Sequence, residues 1–497
     1  MTPGHAFCHA RSSEVRLHGD ERPRFHLTPP ANWMNDPNGP IYRDGRLHVF
    51  YQHNPEAPRW DRMHWGHAVS SDLVTWRHLP IAIAPDLPGV DDFGCWSGCV
   101  VDEGGIASMF YTGVSLDGDE RRASICRATS LDELMITWVK DVGDPCIAKP
   151  PEGIAREAFR DPFVYREDDG WAMLVGAGTD DGHGAVLRYR SADLRAWTYA
   201  GPLLSSDAVT PTEVADGPCW ECPQLVRLGD VDVLIVSVVD RAPGVRPSHV
   251  AAFTGRIDHD RFVLDHAEQL GMGPDFYAPA TTVTPDGRQL VLGWIPEDPP
   301  HESSSRTWAG SMTFPRVVSI GDDGRLSLAL AAEVKSVRAE ARSFGPRRLA
   351  EDEPAWRYGL VSQHFELDVT IDAGDASEVA IELVDGDDES PEVRLAFRPA
   401  EGLLSVARRG IISVAGRTSQ STRVLPGVRN GWIDLRLIVD GSVVEVETDG
   451  RTMATMRLPT TRGDRLAVTF AAIGGHAQIV KLDAWSLAPP VAEGPSA

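Results

Sequence analysis

The chain has 497 residues, with 48 Lys+Arg against 72 Asp+Glu and a formal net charge of −24 at pH 7. That surplus of carboxylates argues against nucleic acid and anionic membrane as main partners, because both demand a cationic footprint. With 42% hydrophobic residues the chain can bury large cores, and its length predicts two domains.

The 46 glycines, 37 prolines and 14 tryptophans suit many strands joined by many turns. Seven cysteines without a disulfide-like spacing predict a reducing compartment. Residues Met1 to His26 carry charges and histidines where a signal peptide has an apolar core. No run of about 18 apolar residues occurs, so no membrane-spanning helix is predicted. A cytoplasmic location is expected.

In chain order, the first informative stretch is Trp33-Met34-Asn35-Asp36-Pro37-Asn38-Gly39-Pro40. Its prolines and glycine exclude a helix and argue against a central strand. An irregular turn carrying one carboxylate is predicted. A strand, an Asp44-Gly45 turn and a second strand follow, ending at Tyr51. The same phrase returns four times. Trp96-Ser97-Gly98 precedes a turn at Glu103-Gly104-Gly105, and Arg160-Asp161-Pro162 precedes one at Asp168-Asp169-Gly170. Trp220-Glu221-Cys222-Pro223 precedes Gly229-Asp230, and Phe276-Tyr277-Ala278-Pro279 precedes Pro285-Asp286-Gly287. Counted from positions 36, 97, 161, 221 and 277, the units lie 61, 64, 60 and 56 residues apart. A second marker, Asp72 to Trp76, returns as Asp193 to Trp197, with a weaker echo from Leu131 to Trp138.

A period near sixty, with about four strands per unit, predicts a five-bladed β-propeller over residues 22–325. The first strand of each blade lines the central channel, so Asp36, Asp161 and Glu221 are expected around one mouth, with Arg160 and several aromatics. Residues 326–345, rich in charge, read as a linker. From 346 to 490, strands such as Phe365 to Ile371 and Trp432 to Ile438 alternate apolar and polar residues, which predicts a β-sandwich. The tail from Pro489 is expected to be disordered. The predicted fold class is all-β, a propeller followed by a sandwich.

Two carboxylates flanking a sugar can cleave a glycosidic bond. In the retaining form they sit about 5 Å apart, one acting as nucleophile and the other as acid, then base. Asp36, in a rigid turn beside amide donors, suits an ionised nucleophile. Glu221, between Trp220, Cys222 and Pro223, suits an acid whose pKa is raised. Arg160 beside Asp161 predicts a paired, permanently ionised carboxylate that binds hydroxyls. Cys219 with Cys222, and His64 with His67, lack the further ligands of a zinc site, so no metal is predicted. Glu297 and His301 read as exposed loop residues.

These segments resemble glycoside hydrolase family 32, the invertases and fructan hydrolases. Trp33 to Pro40 is similar to that family's nucleophile motif, Phe159-Arg160-Asp161-Pro162 to its arginine-aspartate-proline motif, and Trp220-Glu221-Cys222-Pro223 to its glutamate-cysteine motif. Phe50 to Pro55, Trp65 to Ala68, Asp275 to Pro279 and Trp308 to Gly310 with Phe314 to Arg316 resemble further segments, in order, from about residue 25 to 340. The resemblance implies a five-bladed propeller with a C-terminal sandwich. It implies Asp36 as nucleophile, Glu221 as acid/base, and Asp161 as a binder of fructose hydroxyls that stabilises the transition state. Asn35, Gln52, Trp60, Trp65, Trp96 and Ser97 would line the fructose pocket. Tyr277 and Trp294, in the fifth unit, are further candidate substrate contacts. Cys99 stands where the family often has serine, one residue from the sugar contacts, and little effect is expected. No cofactor is implied.

A retaining β-fructofuranosidase acting on a small-molecule sugar is therefore the leading expectation. An arabinan- or xylan-type glycosidase on the same fold, a non-catalytic sugar-binding protein and a transfructosylase stay open. A phosphorylated substrate would need Arg or Lys at the pocket mouth, for which Arg59, Arg62, Arg241 and Arg246 are candidates.

Overall fold

The computed structural model describes residues 22–141, 145–210, 214–239, 249–271, 275–297, 306–321, 324–359, 363–385, 391–408, 421–424, 431–448, 452–458 and 466–490. Each sixty-residue unit folds into one antiparallel sheet. The five lead strands are Asn32–Arg43, Gly94–Glu103, Arg160–Glu167, Trp220–Leu228 and Tyr277–Val283. Each pairs with the strand that follows its turn. The lead strands adjoin in order, and the fifth adjoins the first. Five sheets joined in a closed ring through their lead strands is the arrangement that the repeat implies for a propeller. The ring closes where Trp308–Ala309 runs parallel to the first lead strand, opposite Asn32 and Trp33.

The second marker proves to be an aspartate-anchored turn into an outer strand. Asp72 accepts the backbone N–H groups of Val74 and Thr75, and Asp193 those of Arg195 and Ala196. Asp132, in the weaker echo, does the same for Ile136 and Thr137.

The stretch around Asp36 is part of a continuous strand, where an irregular turn was expected. Its register slips twice, between Met34 and Pro37 and between Asn38 and Ile41. Prolines fit a strand at such bulges, because the ladder asks nothing of their nitrogen there. The same slip recurs in every lead strand, passing over Ser97, Asp161-Pro162, Cys222-Pro223 and Ala278-Pro279. This corrects the alignment of the repeats by one residue. Glu221 is equivalent to Arg160 and Tyr277, whereas Asp161 is equivalent to Cys222 and Ala278.

Asp161, Cys222 and Ala278 have φ of 62°, 48° and 47°, a left-handed conformation costing about 1–2 kcal/mol per residue. The ladder loses their N–H groups, and a neighbouring sheet captures each one. Asp161 N–H donates to Thr112 Oγ1 at 2.8 Å, Cys222 N–H to Asp161 Oδ2 at 3.1 Å, and Ala278 N–H to Ser237 Oγ at 3.0 Å. The bulges therefore lock adjacent sheets together as well as aiming side chains.

The segment expected as a linker is structured. Leu326–Leu330 is the last strand of the fifth sheet, Ala332–Val337 is a short 3₁₀ turn, and Arg338–Phe344 joins the second assembly. Two further sheets stack there. Phe365, Leu367, Val369 and Ile371 face Val379, Ile381, Leu383, Val393, Leu395 and Phe397 in one core. Each such side chain contributes about 1.5–3 kcal/mol by leaving water. The alternating Glu366 turns the other way, to Arg338 and Arg436.

Ring and sandwich are joined by buried charge. Asp440 accepts the backbone N–H groups of Arg24, Phe25 and His26 at 2.9, 2.9 and 3.0 Å, and both His26 and His364 at 2.7 Å. Arg457 from the sandwich reaches the carbonyl of Ile295, Ser311 Oγ and Glu297. Glu297 was expected to be exposed; its side chain is only 2% exposed and also pairs with Arg306. Burial was hidden because one of the two arginines that neutralise it lies 160 residues further along the chain. His301, Arg241, Arg246 and residues 491–497 lie outside the described residues. No described helix is long and apolar enough to cross a membrane.

Candidate active site

Three lead strands bring Asp36, Asp161 and Glu221 together. Asp36 accepts Ser97 Oγ at 2.6 Å and Asn35 Nδ2 at 3.0 Å, and Asn35 is itself held by Trp33 Nε1 at 2.7 Å. Cys222 stands between two of the carboxylates, its Sγ 3.8 Å from Asp36 Oδ2 and 3.5 Å from Asp161 Oδ2. Burial pushes the Asp36 carboxyl above its ordinary pKa; the Ser97 and Asn35 bonds oppose this, and the Glu221 charge reinforces it. The expected depressed value is thus reversed, because desolvation outweighs two hydrogen bonds. Asp161 is raised as well, through burial first and then the repulsion of Glu221, against the pull of Arg160.

The expected pairing of Arg160 with Asp161 is not what forms. Arg160 Nε lies 3.0 Å from Glu221 Oε1, and Tyr277 Oη donates to Glu221 Oε2 at 2.7 Å. Adjacent residues on a strand point to opposite faces, so Arg160 cannot follow Asp161. It meets the residue at its own position in the next sheet. The surroundings of Glu221 are accordingly polar, where Trp220 and Pro223 had suggested an apolar pocket. Arg160 is further fixed by the Glu157 carbonyl at 2.8 Å and by Cys219 Sγ at 3.4 Å.

Around the carboxylates stand the aromatic residues. Trp96 lies under the Arg160 guanidinium at 5.8 Å and against Trp60 at 5.6 Å. Trp294 packs edge-on against Trp33 at 6.0 Å and pairs across the sheet with Tyr277. The indole N–H groups of Trp96 and Trp294 are buried and have no hydrogen-bond partner among the described residues. Trp65 is fully buried and donates its N–H to the Trp96 carbonyl at 3.0 Å. Gln52, 2% exposed, bonds the Cys95 carbonyl at 3.0 Å. Both brace the second lead strand from behind.

Thr112 was missed in the sequence, and Cys222 was named there in a motif without a role at the site. Thr112 sits in an unremarkable second strand, and only the fold brings it to Asp161. Cys219 and Cys222 are free thiols, and among the described residues no group of three His, Cys, Asp or Glu is placed to hold a metal. Cys99 faces the neighbouring sheet, where Val164 N–H donates to its sulfur at 3.1 Å.

Carboxylates gathered on the lead strands of an all-β ring define a glycosidase of the carboxylate type. The chain belongs to glycosyl hydrolases family 32: the family's N-terminal domain matches residues 26–329 and its C-terminal domain residues 333–486. It is 34% identical over 481 residues to a sucrose-6-phosphate hydrolase of Escherichia coli, covering 91% of this chain and 92% of that protein. It is 35% identical over 477 residues to a raffinose invertase of Escherichia coli, covering 91% and 92%. Among solved structures, the sucrose-6-phosphate hydrolase of Lactobacillus gasseri superposes with a TM-score of 0.80 at 26% identity, covering 95% of this chain and 94% of that one.

Proposed function

We propose that the protein is a retaining β-fructofuranosidase that releases terminal fructosyl units from sucrose and related small fructosides. The observation that carries this reading is the meeting of Asp36, Asp161 and Glu221 around Cys222, with Arg160 and Tyr277 holding Glu221. Asp36 attacks the anomeric carbon as the bond to the leaving oxygen breaks, and Glu221 gives that oxygen its proton. Water then delivers its oxygen to the anomeric carbon and its proton to Glu221, freeing Asp36. Asp161 receives fructose hydroxyls and stabilises the oxocarbenium-like transition state. Asn35, Trp60, Trp96, Ser97 and Trp294 shape the pocket, with Gln52 and Trp65 as its support.

Family membership sets aside the arabinan and xylan readings. The reading divides the chain into a catalytic propeller near 22–330 and a supporting sandwich near 338–490. The six described cysteines are free, which supports the proposal of a cytoplasmic enzyme. The test is fructose release from sucrose, sucrose 6-phosphate, inulin and levan. Fructose from sucrose with retained configuration is the expected result; no fructose from any of the four overturns the reading.

A further inference from the structure

Two arginines of the sandwich close on the fifth lead hairpin. Asp275 is fully buried two residues before Tyr277, and its Oδ2 accepts Arg408 Nη1 at 3.0 Å and the Arg457 backbone N–H at 2.7 Å. Arg408 ends the strand Leu403–Arg408, and Arg457 ends the strand Thr452–Arg457. The same Arg408 nitrogen also donates to the Arg457 carbonyl. The Arg457 guanidinium takes the other side of the hairpin. It donates to the carbonyl of Ile295, the residue after Trp294, at 3.1 Å and to Ser311 Oγ at 2.8 Å.

Tyr277 and Trp294 stand directly opposite each other across this hairpin. Tyr277 Oη donates to Glu221 Oε2 at 2.7 Å. Trp294 packs on Trp33, which holds Asn35, which in turn donates to Asp36. The sandwich thus grips both strands just beyond the two residues that reach Glu221 and Asp36. Apolar contact would be enough to hold two domains together, and a buried ion pair adds little net stability over it. What charge-assisted hydrogen bonds add is direction and length, because their energy falls steeply with misalignment.

We propose that Asp275 is a positioning residue for Glu221: fixed by Arg408 and Arg457, it sets the place of Tyr277 and so the orientation of the carboxyl that gives up its proton. This rests on the fructosidase reading above and gives the sandwich a part in turnover beyond support. Tyr277 is anchored on the following side by Ala278, whose left-handed backbone N–H donates to Ser237 Oγ. Asp275 is the anchor on the preceding side. With that anchor loosened, Tyr277 is fixed on one side alone, and its hydroxyl no longer meets Glu221 at a set distance. A displacement of about 1 Å in such a constellation can cost about a hundredfold in rate.

The test is a double-mutant cycle on sucrose: the unaltered enzyme, Asp275→Asn, Tyr277→Phe and both together, with kcat normalised to the folded fraction from melting curves. Asp275→Asn is expected to lower kcat by about tenfold to a hundredfold, with KM changed by less than about threefold. In the Tyr277→Phe background the same substitution should cost less than about threefold, because its route to Glu221 is already gone. Arg408→Met, run through the same cycle, should behave alike and carries the test if Asp275→Asn does not fold. Arg408→Lys should recover most of the loss, since Arg408 reaches Asp275 and the Arg457 carbonyl with one nitrogen. Losses that multiply in the double variants would make the contact a structural prop and overturn the proposal. Unchanged kcat in Asp275→Asn, or equal kcat in Arg408→Met and Arg408→Lys, overturns it too. Sucrose turnover by the unaltered enzyme then leaves the fructosidase reading standing, whereas no fructose from any substrate overturns both.

Discussion

Arg160 and Glu221 occupy the same position on successive lead strands, and their side chains meet at 3.0 Å. Tyr277, at the same position on the next strand, completes the row by donating to the other carboxylate oxygen at 2.7 Å. Glu221 is held from both sides by its own repeat equivalents. Orientation of Glu221, the proposed proton donor, is thus built from the periodicity of the fold.

Arg160→Met should lower kcat by about a hundredfold or more, as loss of a preorganised charged partner does in other sites. Arg160→Lys should recover little, since an ammonium cannot reach Glu221, the Glu157 carbonyl and Cys219 together in the guanidinium's fork. Steady-state kinetics on sucrose, with a melting curve to verify folding, decide this. Unchanged kcat in Arg160→Met would remove Arg160 from the machinery.

Asp36→Asn and Glu221→Gln should each reduce turnover by at least about 10²–10⁴-fold while the protein stays folded. In Glu221→Ala, added azide should restore activity and yield a product of retained configuration, because it attacks the ester on Asp36 and needs no general base. An inverted product would mean that Asp36 is not the nucleophile.

Ser97→Ala should move the acid limb of kcat/KM to higher pH. Burial holds the Asp36 carboxyl above its ordinary range, and the Ser97 hydroxyl opposes this by bonding the ionised form. Removing that bond raises the pKa further, so the ionised nucleophile disappears at a higher pH as acid is added. A limb that stays in place, or moves down, contradicts the assignment of that limb to Asp36.

Asp440→Asn should flatten the acid side of the stability curve. Burial alone would raise the Asp440 carboxyl, but bonds from His26 and His364 hold it well below the usual range. The stability it contributes is present above the unfolded value near 3.9 and is lost as pH falls through the folded value. His26 has the opposite sign. Burial would lower it, but Asp440 and Glu445 carry it up. Its contribution is full below about 6.5 and is lost as pH rises through the raised value. Melting temperature against pH should show both flanks in the unaltered protein, and weaker ones in Asp440→Asn.

Gly39→Ala should destabilise the protein by about 2–5 kcal/mol, combining left-handed strain with overpacking. Gly39 has φ of +44°, and a Cβ there would stand 2.4 Å from Val100 N. This glycine lets the first two lead strands approach, and that approach brings Ser97 to Asp36. Denaturant unfolding measures the loss, and a change within about 0.5 kcal/mol would show that the backbones are free to part.

Much of this was legible in the chain. The strand, turn and strand of each unit are local patterns, so all five hairpins could be read from alternation and turn residues. The three carboxylates were legible because a rigid, proline-bearing motif surrounds each of them. What the alignment lacked was the bulge. A slip of one residue exchanges the two faces of a strand, and nothing local says whether Asp161 or Arg160 corresponds to Glu221. The linker expected at 326–345 was misread for a related reason: Leu326 and Leu328 bury themselves in the fifth sheet's core, among residues from elsewhere in the chain.

The amino-acid sequence by itself determined the all-β class, the sixty-residue period and the residues able to do acid, base and nucleophile chemistry, because these follow from short-range preference and side-chain type. Only the tertiary structure decided which charges pair. Arg160 turns to Glu221, Arg457 to Glu297 and Asp440 to His26. Burial and proximity belong to the folded chain, and they raise Asp36 where its neighbours in sequence suggested the reverse.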